Sequence, residues 1–139
     1  MLGSKKRLVA SLTAPVALLA VVAPAVASGP HIKASPRSVM VNTETTLTGR
    51  GFPADSTIRL AECGRTFWMA PADPCLEGNE KSVRSDAKGR FQTTFDVGLC
   101  PEGEPTKQPT QRVCWVGELV TGEDTGSLAG PAKLLVSYP

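Results

Sequence analysis

Residues 90–97 read RFQTTFDV, and this stretch sets the character of the chain. Its odd-numbered positions are Phe, Thr, Phe and Val, whereas its even-numbered positions are Arg, Gln, Thr and Asp. Side chains of a β-strand alternate between two faces, so the pattern is that of a strand with one buried and one solvated face. The four residues before it, 86–89, place Asp first and Gly fourth, as a type I turn favours. A strand preceded by a tight turn is therefore predicted here.

Six further short runs alternate with turn residues at a spacing typical of a β-sandwich. No segment of residues 28–139 has a convincing helical period. The sequence therefore predicts an all-β domain of seven strands. The other six are residues 31–35, 45–48, 56–63, 81–85, 112–120 and 132–138.

The N-terminal part of the chain predicts a secretory signal peptide. A basic run, residues 5–7, precedes an apolar stretch, residues 8–26, and residues 25–27 have the small-x-small pattern that a signal peptidase recognises. Two prolines interrupt the apolar stretch and no basic stop-transfer flank follows it, which makes a membrane span the weaker interpretation. We expect residues 1–27 to be removed and the mature protein, residues 28–139, to be secreted into the extracellular space.

The charge of the mature chain gives no sign of a nucleic-acid or membrane partner. The full sequence has 15 basic and 13 acidic residues, and three of the basic ones lie in the predicted signal. Residues 28–139 therefore have a net charge near −1. A balanced surface of this kind is not attracted to nucleic acid or to an anionic membrane. We expect a monomer with no nucleic-acid surface and no membrane contact after signal cleavage.

Four cysteines, an even number in an exported chain, predict paired disulfides. Three pairings are possible, and we expect Cys63–Cys75 with Cys100–Cys114 because each pair flanks one loop of a compact sandwich. Each closed loop should stabilise the fold by about 3 kcal/mol. A zinc site is the competing interpretation, but 11 and 13 residues separate these cysteines and no Cys-x-x-Cys occurs. No metal site is expected.

The alternation within residues 56–63 indicates where the first disulfide lies. Ile58 and Leu60 share one face of the strand and Cys63 falls on the other. We therefore expect Cys63 on the outer face of a sheet and not between the two sheets. The same reasoning is indecisive for Trp115, which shares a face with Gly117. Trp115 either belongs to the core or lines a surface groove.

Three long connections separate the predicted strands: residues 64–79, 102–110 and 121–131. The first contains Phe67-Trp68-Met69, three adjacent apolar residues that are suited to contact a ligand. The alternative is that this loop folds back over its own domain. The second connection is typical of a solvated tip, and the Gly, Asp and Ser content of the third predicts a mobile loop.

The sequence offers little catalytic chemistry. Its single histidine, His31, lies near the mature N-terminus, whereas nucleophilic mechanisms need a rigidly positioned imidazole. Two pairs of carboxylates, Glu102 with Glu104 and Glu123 with Asp124, lie in polar loops where burial would not raise a pKa for acid catalysis. We predict a binding module that requires no cofactor, and not an enzyme.

The order and spacing of these features resemble the neocarzinostatin family of secreted enediyne-antibiotic apoproteins. The resemblance rests on residues 48–52 (TGRGF) leading into residues 58–63, on an ungapped stretch over residues 75–97, and on Cys114-x-Val-Gly before the closing strand. It implies a seven-stranded, immunoglobulin-like Greek-key sandwich with sequential disulfides. It also implies a cleft on the outer face of one sheet that holds a chromophore non-covalently. Such a chromophore cuts DNA after release, which links the family to DNA and to antimicrobial activity.

This resemblance and the residues above predict a ligand site on an outer sheet face. Small side chains at its floor would leave room above the sheet, aromatic side chains would form walls, and residues 121–131 would form a mobile lip. The expected cargo is a small apolar or aromatic molecule, such as an enediyne chromophore. An immunoglobulin-like protein-interaction or cell-envelope module without cargo is the alternative. The expected ligand-binding residues are Ala61, Cys63, Phe67, Trp68, Cys75, Trp115 and Gly117.

Overall fold

The computed structural model describes Gly3, residues 11–17 and residues 29–139. Most of the predicted signal peptide, and its cleavage site before Ser28, lie outside the described residues. The described residues contain no helix that is long and apolar enough to cross a membrane.

Short alternating runs with turn residues between them form strands throughout residues 29–139. All seven predicted strands are present, so the all-β prediction is confirmed, and three short strands add to them. The strands are β1 (His31–Ser35), β2 (Ser38–Met40), β3 (Thr43–Arg50), β4 (Thr57–Cys63), β5 (Phe67–Met69), β6 (Lys81–Arg84), β7 (Phe91–Val97), β8 (Glu104–Pro105), β9 (Gln111–Thr121) and β10 (Thr125–Ser137).

The strands form two sheets in the order of an immunoglobulin-like sandwich. The small sheet has the order β1-β3-β7, and the large sheet has the order β2-β10-β9-β4-β6, with β5 added to β10 and β8 added to β9. The first two strands belong to different sheets. β1 pairs antiparallel with β3 in the small sheet, whereas β2 runs parallel to β10 in the large sheet. The passage of the chain from one sheet to the other between β1 and β2, together with the Greek-key connections, confirms the predicted fold class.

Alternation along the strands fills a central core between the two sheets. In β7, Phe91, Phe95 and Val97 are buried whereas Gln92 and Asp96 are exposed, as the sequence predicts. Burying an apolar side chain of this size stabilises the fold by roughly 1.5–3 kcal/mol. The largest fully buried apolar side chains are Phe95, Ile32, Leu47, Ile58, Leu60, Leu134, Val97, Val116 and Val136.

Both disulfides join sequential cysteines, Cys63–Cys75 and Cys100–Cys114, so the predicted pairing is confirmed. Cys100 and Cys114 belong to the central core. Cys63 belongs to a separate group, which we call the outer cluster and which lies on the other face of the large sheet. The predicted placement of Cys63 on an outer face is therefore correct. The outer cluster comprises Ala61, Cys63 and Leu128, with the partly buried Trp68, Cys75, Trp115 and Leu119.

The prediction of a mobile loop over residues 121–131 is wrong. The backbone N–H of Gly122 donates to the Thr125 carbonyl at 2.8 Å, and the chain then continues as β10 along β9. The register shifts between Ala129 and Ala132, and Gly130 adopts φ 57° at this irregularity. A glycine in the left-handed region is typical of a β-bulge. The Gly and Pro residues that indicated a loop therefore form a bulge within a long strand.

Candidate functional site

The first long connection, residues 64–79, folds back onto the large sheet. Its middle part, β5, pairs antiparallel with β10, so that Phe67 lies opposite Ser127 and Trp68 opposite Gly126. Backbone hydrogen bonds flank the pair, since Ala70 N–H donates to the Asp124 carbonyl at 2.8 Å. The Cys63–Cys75 disulfide closes this connection at its base.

Adjacent side chains of β5 point to opposite faces, as alternation along a strand requires. Trp68 faces the outer cluster, and its indole ring lies directly over Gly126, where an added Cβ would overlap the ring. Phe67 and Met69 point away and are 57% and 58% exposed. The expectation that Phe67 and Trp68 wall the same site is therefore wrong in its geometry, because the two rings lie on opposite faces.

A cleft of about 340 Å³ lies on the outer face, between β5, the end of the β9–β10 pair and the segment that follows Cys75. Its apolar lining residues include Trp68, Cys75 of the disulfide, Leu76 and Leu119. An aromatic ring, a disulfide and two leucines give this surface the composition of a small-molecule site.

A larger hollow of about 540 Å³ lies elsewhere, at the junction of β2 and β10. Pro36, Arg37, Ser38, Lys133 and Leu135 line it. This lining has no aromatic ring, so we place the candidate site at the cleft beside Trp68.

Five of the seven predicted site residues do not line the cleft: the exposed Phe67, the half-buried Trp115, and the buried Ala61, Cys63 and Gly117. Ala61 and Cys63 have no exposed surface, and Gly117 is buried. Leu128 of β10 covers this region, since its Cβ lies 3.0 Å from the position that a Cβ on Gly117 would occupy. The room expected above Ala61 and Gly117 is therefore filled by Leu128. The composition of residues 121–131 favours a loop, so no sequence pattern places Leu128 above Gly117.

Cys75 and Trp115, both predicted site residues, lie in the outer cluster and are half-buried. Cys75 lines the cleft, whereas Trp115 lies outside its lining. Trp115 is paired with Cys63 across β4 and β9. It therefore lies on the outer face and not in the central core, but it does not line the candidate cleft.

The rim of the cleft is acidic. Four carboxylates line it, from Asp73, Glu77, Glu80 and Glu123, together with a single guanidinium from Arg59. Arg59 is already paired, because its Nε donates to Glu80 Oε2 at 2.7 Å. The lining therefore carries three negative charges in excess. The sequence indicates only loop charge at Glu123, because the approach of separate segments to one rim depends on tertiary structure.

Glu62 is a fully buried acidic residue that is not among the residues predicted from the sequence. It has no exposed surface and points from β4 into the sandwich. Its Oε1 accepts hydrogen bonds from the Gly98 backbone N–H at 2.7 Å and from Asn79 Nδ2 at 3.0 Å, whereas its buried Oε2 has no hydrogen-bond partner among the described residues. Burial raises the pKa of Glu62 to about 7 and outweighs the two hydrogen bonds, which lower it. The alternation that assigned Ile58 and Leu60 to the core predicts the same face for residue 62.

Glu62 also holds the segment that walls the cleft. Its backbone carbonyl accepts a hydrogen bond from Leu76 N–H at 2.8 Å. Asn79, which binds the Glu62 carboxyl, also donates to the Asp96 carbonyl at 2.9 Å. The wall that carries Leu76 and Glu77 is therefore fixed to the interior of the sandwich.

One group of potential metal donors occurs within the described residues. The carboxylate of Glu62 and the sulfurs of Cys100 and Cys114 lie within 4.8 Å of one another. Both sulfurs belong to a disulfide, and metal ions bind the thiolate form of cysteine. This group therefore offers a single carboxylate and does not form a metal centre in the oxidised protein.

Substituting Gly126 by alanine should displace the Trp68 ring, because the new Cβ would occupy the position of the indole. We expect the exposure of Trp68 to rise, with a red shift of its emission and greater quenching by iodide, measured in a Trp115→Phe background. Gly122→Ala is the matched control, since a Cβ there meets its nearest atom, Thr125 Oγ1, at 3.3 Å. Equal quenching of the two alanine variants would contradict the packing of Trp68 on Gly126.

No protein-family model and no curated protein sequence matches the chain. Among solved structures, the chain is similar to macromomycin, with 14% sequence identity and a TM-score of 0.48. The alignment covers 80% of this chain and 100% of the macromomycin chain. The fold class stated above rests on the strand order and the disulfides of this chain itself.

Proposed function

We propose that this protein is an exported carrier, monomeric and non-enzymatic, that binds and protects one small aromatic molecule in the outer-face cleft. The observation that supports it most is the position of Trp68, whose ring is fixed over Gly126 while it lines a cleft of about 340 Å³. Pockets for small molecules have volumes of roughly 300–1,000 Å³ and combine apolar walls with a few polar groups. A fixed indole provides stacking area at little entropic cost.

The frame of the cleft supports binding without a large rearrangement. One wall follows Cys75 and is held by the disulfide and by Glu62, and the opposite wall is the hydrogen-bonded β9–β10 pair. Walls that are already ordered lose little conformational entropy when a ligand binds. Two disulfides also favour an oxidising compartment, in agreement with the export signal in the sequence.

The resemblance of the sequence to the neocarzinostatin family makes an enediyne-type chromophore the first cargo to test. The cargo would contact Trp68, Leu119 and Leu76, and not the surface above Ala61 and Gly117, which Leu128 fills. Native mass spectrometry of protein recovered from its producer should then show a bound small molecule. Recovery of the unliganded mass alone would count against a resident cargo.

Trp68→Ala should weaken the binding of polycyclic aromatic ligands by roughly 1–3 kcal/mol, as for the loss of a buried aromatic anchor. Calorimetric titration of the wild type and the variant measures this effect directly. Phe67→Ala is the matched control, since Phe67 precedes Trp68 on the same strand but is exposed on the opposite face. Unchanged affinity in Trp68→Ala, or an equal loss in Phe67→Ala, would exclude the cleft as the binding site.

A specific observation favours protein interaction as the second candidate function. Phe67 and Val120 lie in one row across β5, β10 and β9, and both are exposed together with the neighbouring Met69. Exposed apolar groups of this kind are typical of protein-interaction surfaces. If the aromatic ligands do not bind the wild type, this surface becomes the better candidate.

A further inference from the structure

We propose that the cleft selects a positively charged aromatic molecule, such as an aromatic amine, over neutral and anionic molecules of the same shape. This inference rests on the proposed function and specifies the class of its ligand. Asp73 and Glu77, from the segment between β5 and β6, and Glu123, from the turn between β9 and β10, line the same cleft as Trp68. A ligand whose ring contacts the apolar lining would therefore hold its charged substituent close to several carboxylates.

The ion pair within the rim leaves three carboxylates free to interact with a ligand. The Arg59 guanidinium is bound to Glu80, so the only cation in the lining is already neutralised. Asp73 Oδ1 accepts a hydrogen bond from the Cys75 backbone N–H at 3.2 Å, which fixes the carboxylate without removing its charge. Glu77 and Glu123 form no salt bridge with the described residues. A cationic ligand would supply the missing counter-charge.

The aromatic wall favours the same ligand charge. The face of a Trp ring carries partial negative charge, and it attracts an ammonium or an iminium group within about 6 Å of its centre. Trp68 lines the same cleft as the acidic residues. The indole ring and the acidic rim therefore both attract a cationic ligand, whereas both would repel an anionic ligand. The shape of the cavity alone would not discriminate between these charge states.

The test compares three ligands that share one ring system: 9-aminoacridine as the cation, acridine as the neutral form and acridine-9-carboxylate as the anion. Equilibrium dialysis at about pH 7.5 gives each dissociation constant without relying on tryptophan emission. We expect the cation to bind roughly tenfold more tightly than the neutral compound, with the anion weakest. Raising the salt concentration from about 20 mM to about 300 mM should reduce this preference, because exposed charges are screened.

Glu77→Gln/Glu123→Gln should reduce the preference for the cation over neutral acridine to about twofold, because the dissociation constant of the cation rises more than that of acridine. Glu44→Gln/Glu104→Gln is the matched control, because it removes the same charge from exposed positions outside the cleft. If acridine binds as tightly as the cation, or both double variants behave alike, the charge selection is refuted and the carrier proposal stands. If none of the three compounds binds, the proposed function fails as well.

Discussion

The wild-type protein should lose about 3 kcal/mol of unfolding free energy as the pH rises from about 4.5 to about 7, and Glu62→Gln should abolish this loss. The reference pKa of 4.5 describes Glu62 in the unfolded chain, whereas burial raises the pKa in the folded protein to about 7. Between these values the folded state holds a proton that the unfolded state has released, so rising pH favours unfolding. The stabilising effect of the proton is complete below about pH 4.5 and lost once the pH exceeds about 7.

Urea denaturation at a series of pH values measures this effect, and the difference between the two profiles isolates Glu62 from the other titrating groups. The variant places a buried amide where Oε2 had no partner, which should lower its stability relative to the wild type by about 1–3 kcal/mol below about pH 4.5, where Glu62 is protonated. The test therefore concerns the slope and not the offset. Glu44→Gln, an exposed substitution, should keep the wild-type slope. Parallel profiles for the wild type and Glu62→Gln would show that the carboxyl does not titrate in this range.

Cys63→Ala/Cys75→Ala should lower the unfolding free energy by about 3 kcal/mol and abolish binding of aromatic ligands. The disulfide closes the connection that carries β5, and one of its two cysteines lines the cleft. Without it, the unfolded chain gains conformational freedom, and the segment with Trp68 and Leu76 loses its covalent anchor. Chemical denaturation and calorimetric titration at a temperature where the variant remains folded measure the two effects separately.

Cys100→Ala/Cys114→Ala is the control for that experiment. This disulfide closes a loop of similar length but lies in the central core and does not contribute to the cleft. The loss of stability should be at least as large, whereas the folded protein should bind ligand with wild-type affinity. If removing the core disulfide weakens binding as much as removing the outer one, the cleft depends on global stability and not on the local anchor.

The sequence allows the prediction of the framework because each element of it depends on local patterns. Alternation in residues 90–97 and 56–63 predicts which side chains face the core, and it correctly places Cys63 outside. Glu62 follows from the same alternation, but a charged side chain in the core contradicts composition-based reasoning and is easily passed over. The pairing of the cysteines was predictable because both loops are short and local.

The candidate site could be predicted only in part, since it depends on which strands meet. The orientation of Phe67 and Trp68 is set by the register of β5 on β10, and residues 67–69 are too short for their own alternation to show a strand. Gly126, Gly130 and Pro131 indicate a loop. In the structure these residues belong to β10, which stays hydrogen-bonded to β9 on both sides of a single bulge. That extension places Leu128 above Gly117, and no local pattern in the sequence indicates that contact.

The central core and the outer cluster have no residue in common, although β4, β9 and β10 contribute to both. Substitutions in one cluster can therefore alter the cleft while the packing that determines folding stays intact. In evolutionary terms, descendants of such a chain can change the ligand preference of the proposed site through a few changes at Trp68, Leu76, Leu119 and the acidic rim. Divergence among descendants should then be fastest around the cleft, while the core-facing positions and the four cysteines keep the scaffold recognisable.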